Sequence, residues 1–100
     1  MSEDTSFHPK YGSGQTVSPA VSAVSVSIDP DKNSTSVCLT NLGSNVCYIR
    51  IGTGTIEATT ADYPIPAGQQ IAVSKAGGDN VLSHISADGT TLHIIPGEGF

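Results

Sequence analysis

Tryptophan is absent from the chain, methionine occurs once, and the aromatic residues are three tyrosines and two phenylalanines. An aromatic-rich core is therefore excluded, and the interior must be built from aliphatic side chains. Basic residues are nearly as scarce: 4 Lys and Arg stand against 9 Asp and Glu, for a formal charge of -5. That balance provides no footprint for a phosphate backbone and excludes nucleic-acid binding as a function class. Long apolar runs are missing, so no transmembrane helix is expected where about 18 or more consecutive apolar residues are needed. The opening MSEDTSFHPK is polar and acidic, whereas a secretory signal needs a basic start and an apolar stretch. Synthesis in the cytoplasm and no membrane partner are the expectations. Cys38 and Cys47 are the only cysteines, too few for the roughly two to four bridges of a small disulfide scaffold. Both are read as free, buried thiols.

What the chain does contain is 23 Ser and Thr, 11 Gly and 6 Pro, with 13% charged residues. This is a sheet-forming composition, and 100 residues allow a single domain. Residues 1–19 show neither a strand nor a helix period and carry Pro9, Gly12, Gly14 and Pro19. They read as a flexible N-terminal arm preceding a β-domain over residues 20–100. From Val24 apolar and polar residues alternate to Ile28, a half-buried strand. SVCLTN (36–41) and VCYIRIG (46–52) predict two more strands joined by the turn Leu42 to Asn45. Pro64 and Pro66 mark residues 53–67 as an excursion or edge segment, because proline cannot donate to a ladder. QQIAVS (69–74) predicts a strand, and residues 81–87 and 90–95 flank Asp88-Gly89, the preferred pair for a two-residue type I′ hairpin. About six or seven short strands result, predicting an all-β chain: a small antiparallel β-sandwich or barrel with an extended N-terminal arm.

A two-residue loop at Asp88-Gly89 would pair Ile85 with Leu92 and His84 with His93. Ile85, Leu92 and Ile94 would then face the core, and His84 and His93 would stand side by side on the other face. Opposed histidines lie about 5 Å apart at Cβ. They are a possible subunit contact or a weak metal pair, but a metal site needs about three or four ligands and none is assigned. Their joint protonation would make assembly mildly acid-sensitive. No GxSxG elbow is present to activate a serine. Asp29, Asp31, Asp62, Asp79 and Asp88 fall in predicted loops, where turn chemistry explains them better than acid–base catalysis. No enzyme activity, no catalytic residue and no cofactor are expected.

The segments VCLTNLGSNVCYIRIGTGT (37–55), ADYPIPAGQ (61–69) and HISADGTTLHIIPGEGF (84–100), roughly half of the chain, carry a pattern of their own. The pattern resembles that of small all-β proteins encoded among the virion genes of tailed bacteriophages, many of which are capsid decoration (cement) proteins. Asn41, Gly43, Asn45 and Gly68 match as turn formers and Pro96-Gly97-Glu98-Gly99 as the closing tail; Cys47 departs from it, where other members often carry an apolar residue. The resemblance implies a non-enzymatic virion protein that binds the major capsid protein on the outer capsid surface and stabilises the shell. It implies no catalytic residue.

Physical reasoning leads the same way. With an arm set aside, about 80 residues remain, and so small a domain buries only about 60 to 65% of its unfolded surface. A symmetric homo-oligomer, such as a trimer, or docking on a shell would supply the rest. Phe7, His8 and Tyr11 are the expected partner-binding residues of the arm, and Phe100 is an expected C-terminal contact, since aromatics dominate interface energetics. Deleting residues 1–15 is expected to leave the domain folded. The alternative is a neck, tail or fibre component acting as a small-ligand or carbohydrate-binding β-module, with Tyr48 and Tyr63 as its platform.

Overall fold

A computed structural model describes residues 7–28, 34–76 and 78–98. Among these residues every regular element is a strand: β1 (His8–Pro9), β2 (Gln15–Val17), β3 (Val24–Ser27), β4 (Ser36–Asn41), β5 (Cys47–Gly52), β6 (Tyr63–Ile65), β7 (Gln70–Ser74), β8 (Val81–Ile85) and β9 (Leu92–Glu98). They form two antiparallel sheets. The first runs β1–β9–β4–β7, with β2 also on β9; the second runs β3–β8–β5–β6. The architecture is an all-β sandwich, and no helix among the described residues is long and apolar enough to cross a membrane.

Alternation along the strands fills the space between the sheets. On β4, Val37 and Leu39 are fully buried while Cys38 and Thr40 are half-buried on the outer face. Leu92 and Ile94 of β9 join them from the same sheet, and Cys47, Ile49, Ile65 and Leu82 come from the other. Val17, Val26, Ile51, Ile71 and Val73 pack around this cluster. The core is aliphatic, as an aromatic-poor composition requires. Deleting the buried part of one such leucine costs about 2 to 5 kcal/mol.

Both expected hairpins are instead arches that carry the chain from one sheet to the other. β4 and β5 are not paired, nor are β8 and β9: β4 and β9 lie side by side in the first sheet and β5 and β8 in the second. Gly89 does adopt the left-handed φ of 82° that a reversal there requires. The backbone of residues 86–91, however, bonds to other connections rather than to itself. Ser86 N donates to Ala20 O, Thr90 N to Pro19 O, and Leu42 N to Thr91 O. Those partners hold the ends of β8 and β9 apart, so the positive-φ glycine turns the chain out of the sheet plane.

The histidine pairing changes in consequence. His84 pairs with Ile49 and Val24, and His93 with Thr40 and Thr16, in different sheets. The faces of β8 are also the reverse of those expected: Leu82 and His84 are buried, while Ile85 is half-exposed. Ser83, on the outer face, is covered by the 53–62 excursion, whose Ala58 N donates to Ser83 Oγ at 2.8 Å. β6, with Pro64 at its centre, is an edge strand as its prolines predict.

The described part of the N-terminal arm departs from the reading of residues 1–19 as a segment apart from the domain. His8 and Pro9 pair with Glu98 and Gly97, and Gln15, Thr16 and Val17 pair with Ile94, His93 and Leu92. The chain lies along β9, with Lys10 N still donating to Pro96 O, and leaves it only over residues 11–14, in a turn closed by Ser13 N donating to Lys10 O. Gln15 sends its side-chain amide across to Ser27 O at 2.8 Å, linking the two sheets at this edge. Deletion of residues 1–15 would strip β1 and the first residue of β2 from β9, and so is not neutral to the fold.

Candidate functional site

Four connections meet at one end of the sandwich: 18–23, 42–46, 66–69 and 86–91. Three of them, 42–46, 66–69 and 86–91, are gathered by Asn41, the last residue of β4, which is 1% exposed, and 18–23 is held to 86–91 by Ser86 N and Thr90 N donating to Ala20 O and Pro19 O. Its Nδ2 donates to Asn45 O and to Ile65 O, each at 2.8 Å. Its Oδ1 accepts from Gly43 N at 3.1 Å and from Thr90 Oγ1 at 2.8 Å. Its backbone N donates to Gln69 O and its carbonyl accepts from Gly68 N. Asn45 Nδ2 donates to Gly89 O at 2.8 Å and locks the two arches together. A buried amide with both donors and both acceptor positions engaged rigidifies what it touches.

Gly43 is required by this arrangement for a reason unrelated to positive φ. A Cβ at that position would overlap Thr90 Oγ1 and lie 2.8 Å from Thr91 N. Gly68, at φ 76°, shapes the 66–69 turn. The residues matched as turn formers thus converge on one end of the molecule.

The surface that this network supports is apolar. Val21 is 74% exposed, Leu42 61% and Val46 39%. Asp88 is the sole charged residue in the four connections, although 13% of the chain is charged. Single exposed aliphatics are ordinary, but a charge-poor end carrying several of them on a fixed backbone is a candidate contact surface. The apolar pair Leu42 and Val46, bracketing Gly43-Ser44-Asn45, was the visible signal in the sequence; its exposure depends on the arch.

The sequence-predicted site residues are dispersed. Phe7 is half-buried, and its Cζ lies 2.7 Å from where a Cβ of Gly97 would stand, so its ring covers the domain's own surface. His8 is exposed in β1 and lines an open cleft of about 280 Å³ with Pro9, Lys10, Ser34, Gly97 and Glu98. Tyr11 projects from the 11–14 turn and is 87% exposed, so it is the arm aromatic available to a partner. Phe100 lies outside the described residues. His93 stands on the outer face of its sheet with its Nε2 against Gly14.

His84 is 2% exposed, and its two ring nitrogens are the buried side-chain polar atoms without a hydrogen-bond partner among the described residues. Its pKa is lowered by burial, which disfavours the imidazolium. His84 and His93 therefore do not constitute a pair, and no group of three or more His, Cys, Asp or Glu among the described residues could hold a metal ion. Cys38 and Cys47 lie in opposite sheets, and both are free. Burial pushes the Cys47 thiol up to about 11, so it remains protonated at neutral pH.

The two tyrosines of the body do not form one platform. Tyr48 pairs with Pro64 and Tyr63 with Ile49, which places them on opposite faces of the second sheet. Beside them, Arg50 Nε and Nη2 both donate to Asp62 Oδ1, at 3.0 and 2.9 Å. Partial burial raises the Asp62 pKa, but hydrogen bonds from Thr59 N and Arg50 outweigh it and hold the carboxyl below its ordinary value.

No family model matches this chain, and no curated protein or solved structure matches it either.

Proposed function

We propose that this chain is a non-enzymatic structural protein of a tailed-phage virion, a decoration protein that docks on the outer capsid shell through the arch end of its sandwich. The observation that carries this reading is the charge-poor end carrying Val21, Leu42 and Val46, where Asn41 fixes the 42–46 arch and Ser86 and Thr90 hold the 18–23 connection. The resemblance of residues 37–55, 61–69 and 84–100 to small virion proteins supplies the kind of partner, the major capsid protein. Mechanically, the sandwich acts as a rigid peg. Burying an exposed Val or Leu contributes about 1.5 to 3 kcal/mol, and association costs at least about 4 kcal/mol in lost freedom. One tip is therefore a weak ligand, and stable attachment requires several tips presented together. Tyr11 on the β9 side of the molecule is a second contact available to a neighbouring capsid subunit.

Sedimentation of the purified protein with empty heads of the encoding phage tests the reading. Wild-type protein is expected to pellet with the heads. The double variant Leu42→Asp, Val46→Asp, with an unchanged far-UV spectrum, is expected to stay in the supernatant. Absence of wild-type protein from the pellet overturns the shell reading, and pelleting of the folded double variant overturns the arch end as the docking surface.

A further inference from the structure

A sandwich has four sheet edges, and each exposes a row of backbone N–H and C=O groups that could template another chain unless it is blunted. Three of the edges here are blunted. Along β9, the β1 and β2 edge contains Pro9 and breaks off over residues 11–14. On β3, the Ser27 carbonyl already accepts the Gln15 amide at 2.8 Å. β6 is three residues long with Pro64 at its centre. β7 is different: it pairs with β4 on one side only, runs five residues, Gln70–Ser74, and contains neither proline nor charge.

The sequence of this edge is also self-complementary. An antiparallel copy related by a two-fold axis through Ala72 would set Gln70 opposite Ser74, Ile71 opposite Val73, and Ala72 opposite itself. Beyond the strand, Gln69 would face Lys75, so no like charges meet. Polar positions oppose polar ones, β-branched residues oppose β-branched ones, and the smallest side chain lies on the axis. Faces match as well. Ile71 and Val73 share the inner face with their β4 partners Leu39 and Val37, and both are only half-buried, with no strand among the described residues on their outer flank. A shift of the axis by half a residue would set inner against outer side chains, so the pleat restricts the axis to a residue position, and Ala72 is the one that pairs all five residues of the strand.

We propose that two copies of this chain pair through β7, antiparallel about Ala72, joining their first sheets into one continuous sheet across a two-fold axis. The occupant of the edge is a second copy because the strand provides its own complement in polarity, size and face, as an isologous interface must. The pairing is independent of the shell-docking reading, and it gives a two-fold assembly where a trimer was the expectation.

Sedimentation equilibrium of the full chain is expected to give twice the chain mass. Ala72→Lys sets two ammonium groups opposite each other, with Cβ atoms about 5 Å apart, on the outer face that Ala72 shares with Cys38. It is expected to be monomeric, with a dissociation constant raised by about a hundredfold or more. Ala72→Glu is expected to behave likewise, and an equimolar mixture of the two variants is expected to restore the two-chain species. Should either variant fail to fold, amide exchange on the unmodified protein decides: protection along β7 must rise with protein concentration. A monomeric or trimeric wild type, a dimer undisturbed by Ala72→Lys, or concentration-independent exchange in β7 overturns the proposal.

Discussion

Lowering the pH from about 7.5 to about 5.5 should remove folding stability through His84 alone, by at most about 1.4 kcal/mol. The imidazole is 2% exposed and makes no hydrogen bond through either nitrogen among the described residues. Its neighbours offer a proton no compensation. On the strands that flank or face it, β2, β3 and β4 carry no carboxylate, Arg50 of β5 faces outward to Asp62, and Glu98 lies at the exposed far end of β9. Cys47, on the same inner face, stays a neutral thiol. The native pKa of His84 is consequently below its ordinary value, whereas the unfolded chain titrates near about 6.5. Between those two values the unfolded state holds a proton that the folded state does not. Stability is therefore complete above the unfolded pKa, falls with pH below it at about 1.4 kcal/mol per unit, and levels off below the folded pKa.

The control is His84→Leu, which keeps the volume approximately and removes the titration. Leaving buried polar atoms unpaired costs about 1 to 3 kcal/mol, so the leucine variant should already be the more stable protein at neutral pH. Its advantage should widen further as the pH falls to about 5.5, by at most about 1.4 kcal/mol, with His8, His93 and all carboxylates common to both proteins. Urea unfolding at several pH values measures both quantities. Parallel stability curves for the two proteins would refute the reasoning, since they would mean that His84 is solvated or partnered in the folded state. This acid sensitivity is one of folding and comes from one buried ring; the acid-sensitive assembly expected of a His84–His93 pair loses its basis, because the two histidines lie in different sheets.

Two further predictions concern the arch end and the thiols. Asn41→Ala removes four side-chain hydrogen bonds to Gly43, Asn45, Ile65 and Thr90, and should cost about 2 to 4 kcal/mol in urea unfolding; a loss under about 0.5 kcal/mol would mean that the loops hold their positions without it. Cys47, fully buried and titrating near 11, should be alkylated only as fast as the protein opens, whereas half-buried Cys38 should react first. Mass mapping after brief iodoacetamide treatment distinguishes the two sites, and equal labelling in the native state would contradict the burial.

The strand over 36–41 was legible because its composition and bounding turn depend only on neighbouring residues, whereas the burial of Asn41, read as a turn former, was not. The edge character of β6, fixed by Pro64, and the reversal at Gly89 were legible for the same reason as the strand. The site was less legible. Leu42, Val46 and Val21 lie at one end only because Asn41 and Asn45 tie three connections together and Ser86 and Thr90 hold the fourth, and no local pattern encodes contacts between residues 41 and 90 or 45 and 89.

Scarcity of aromatics determined an aliphatic interior, because composition limits what can be buried. Tertiary structure alone decided which sheet each strand joins. A positive-φ glycine reverses the chain equally well within a sheet or between sheets, and the choice lies with hydrogen bonds to remote segments, here Ser86 to Ala20 and Thr90 to Pro19. That choice turned the two histidines away from each other, buried His84 without a partner, and gathered the turn residues into one end.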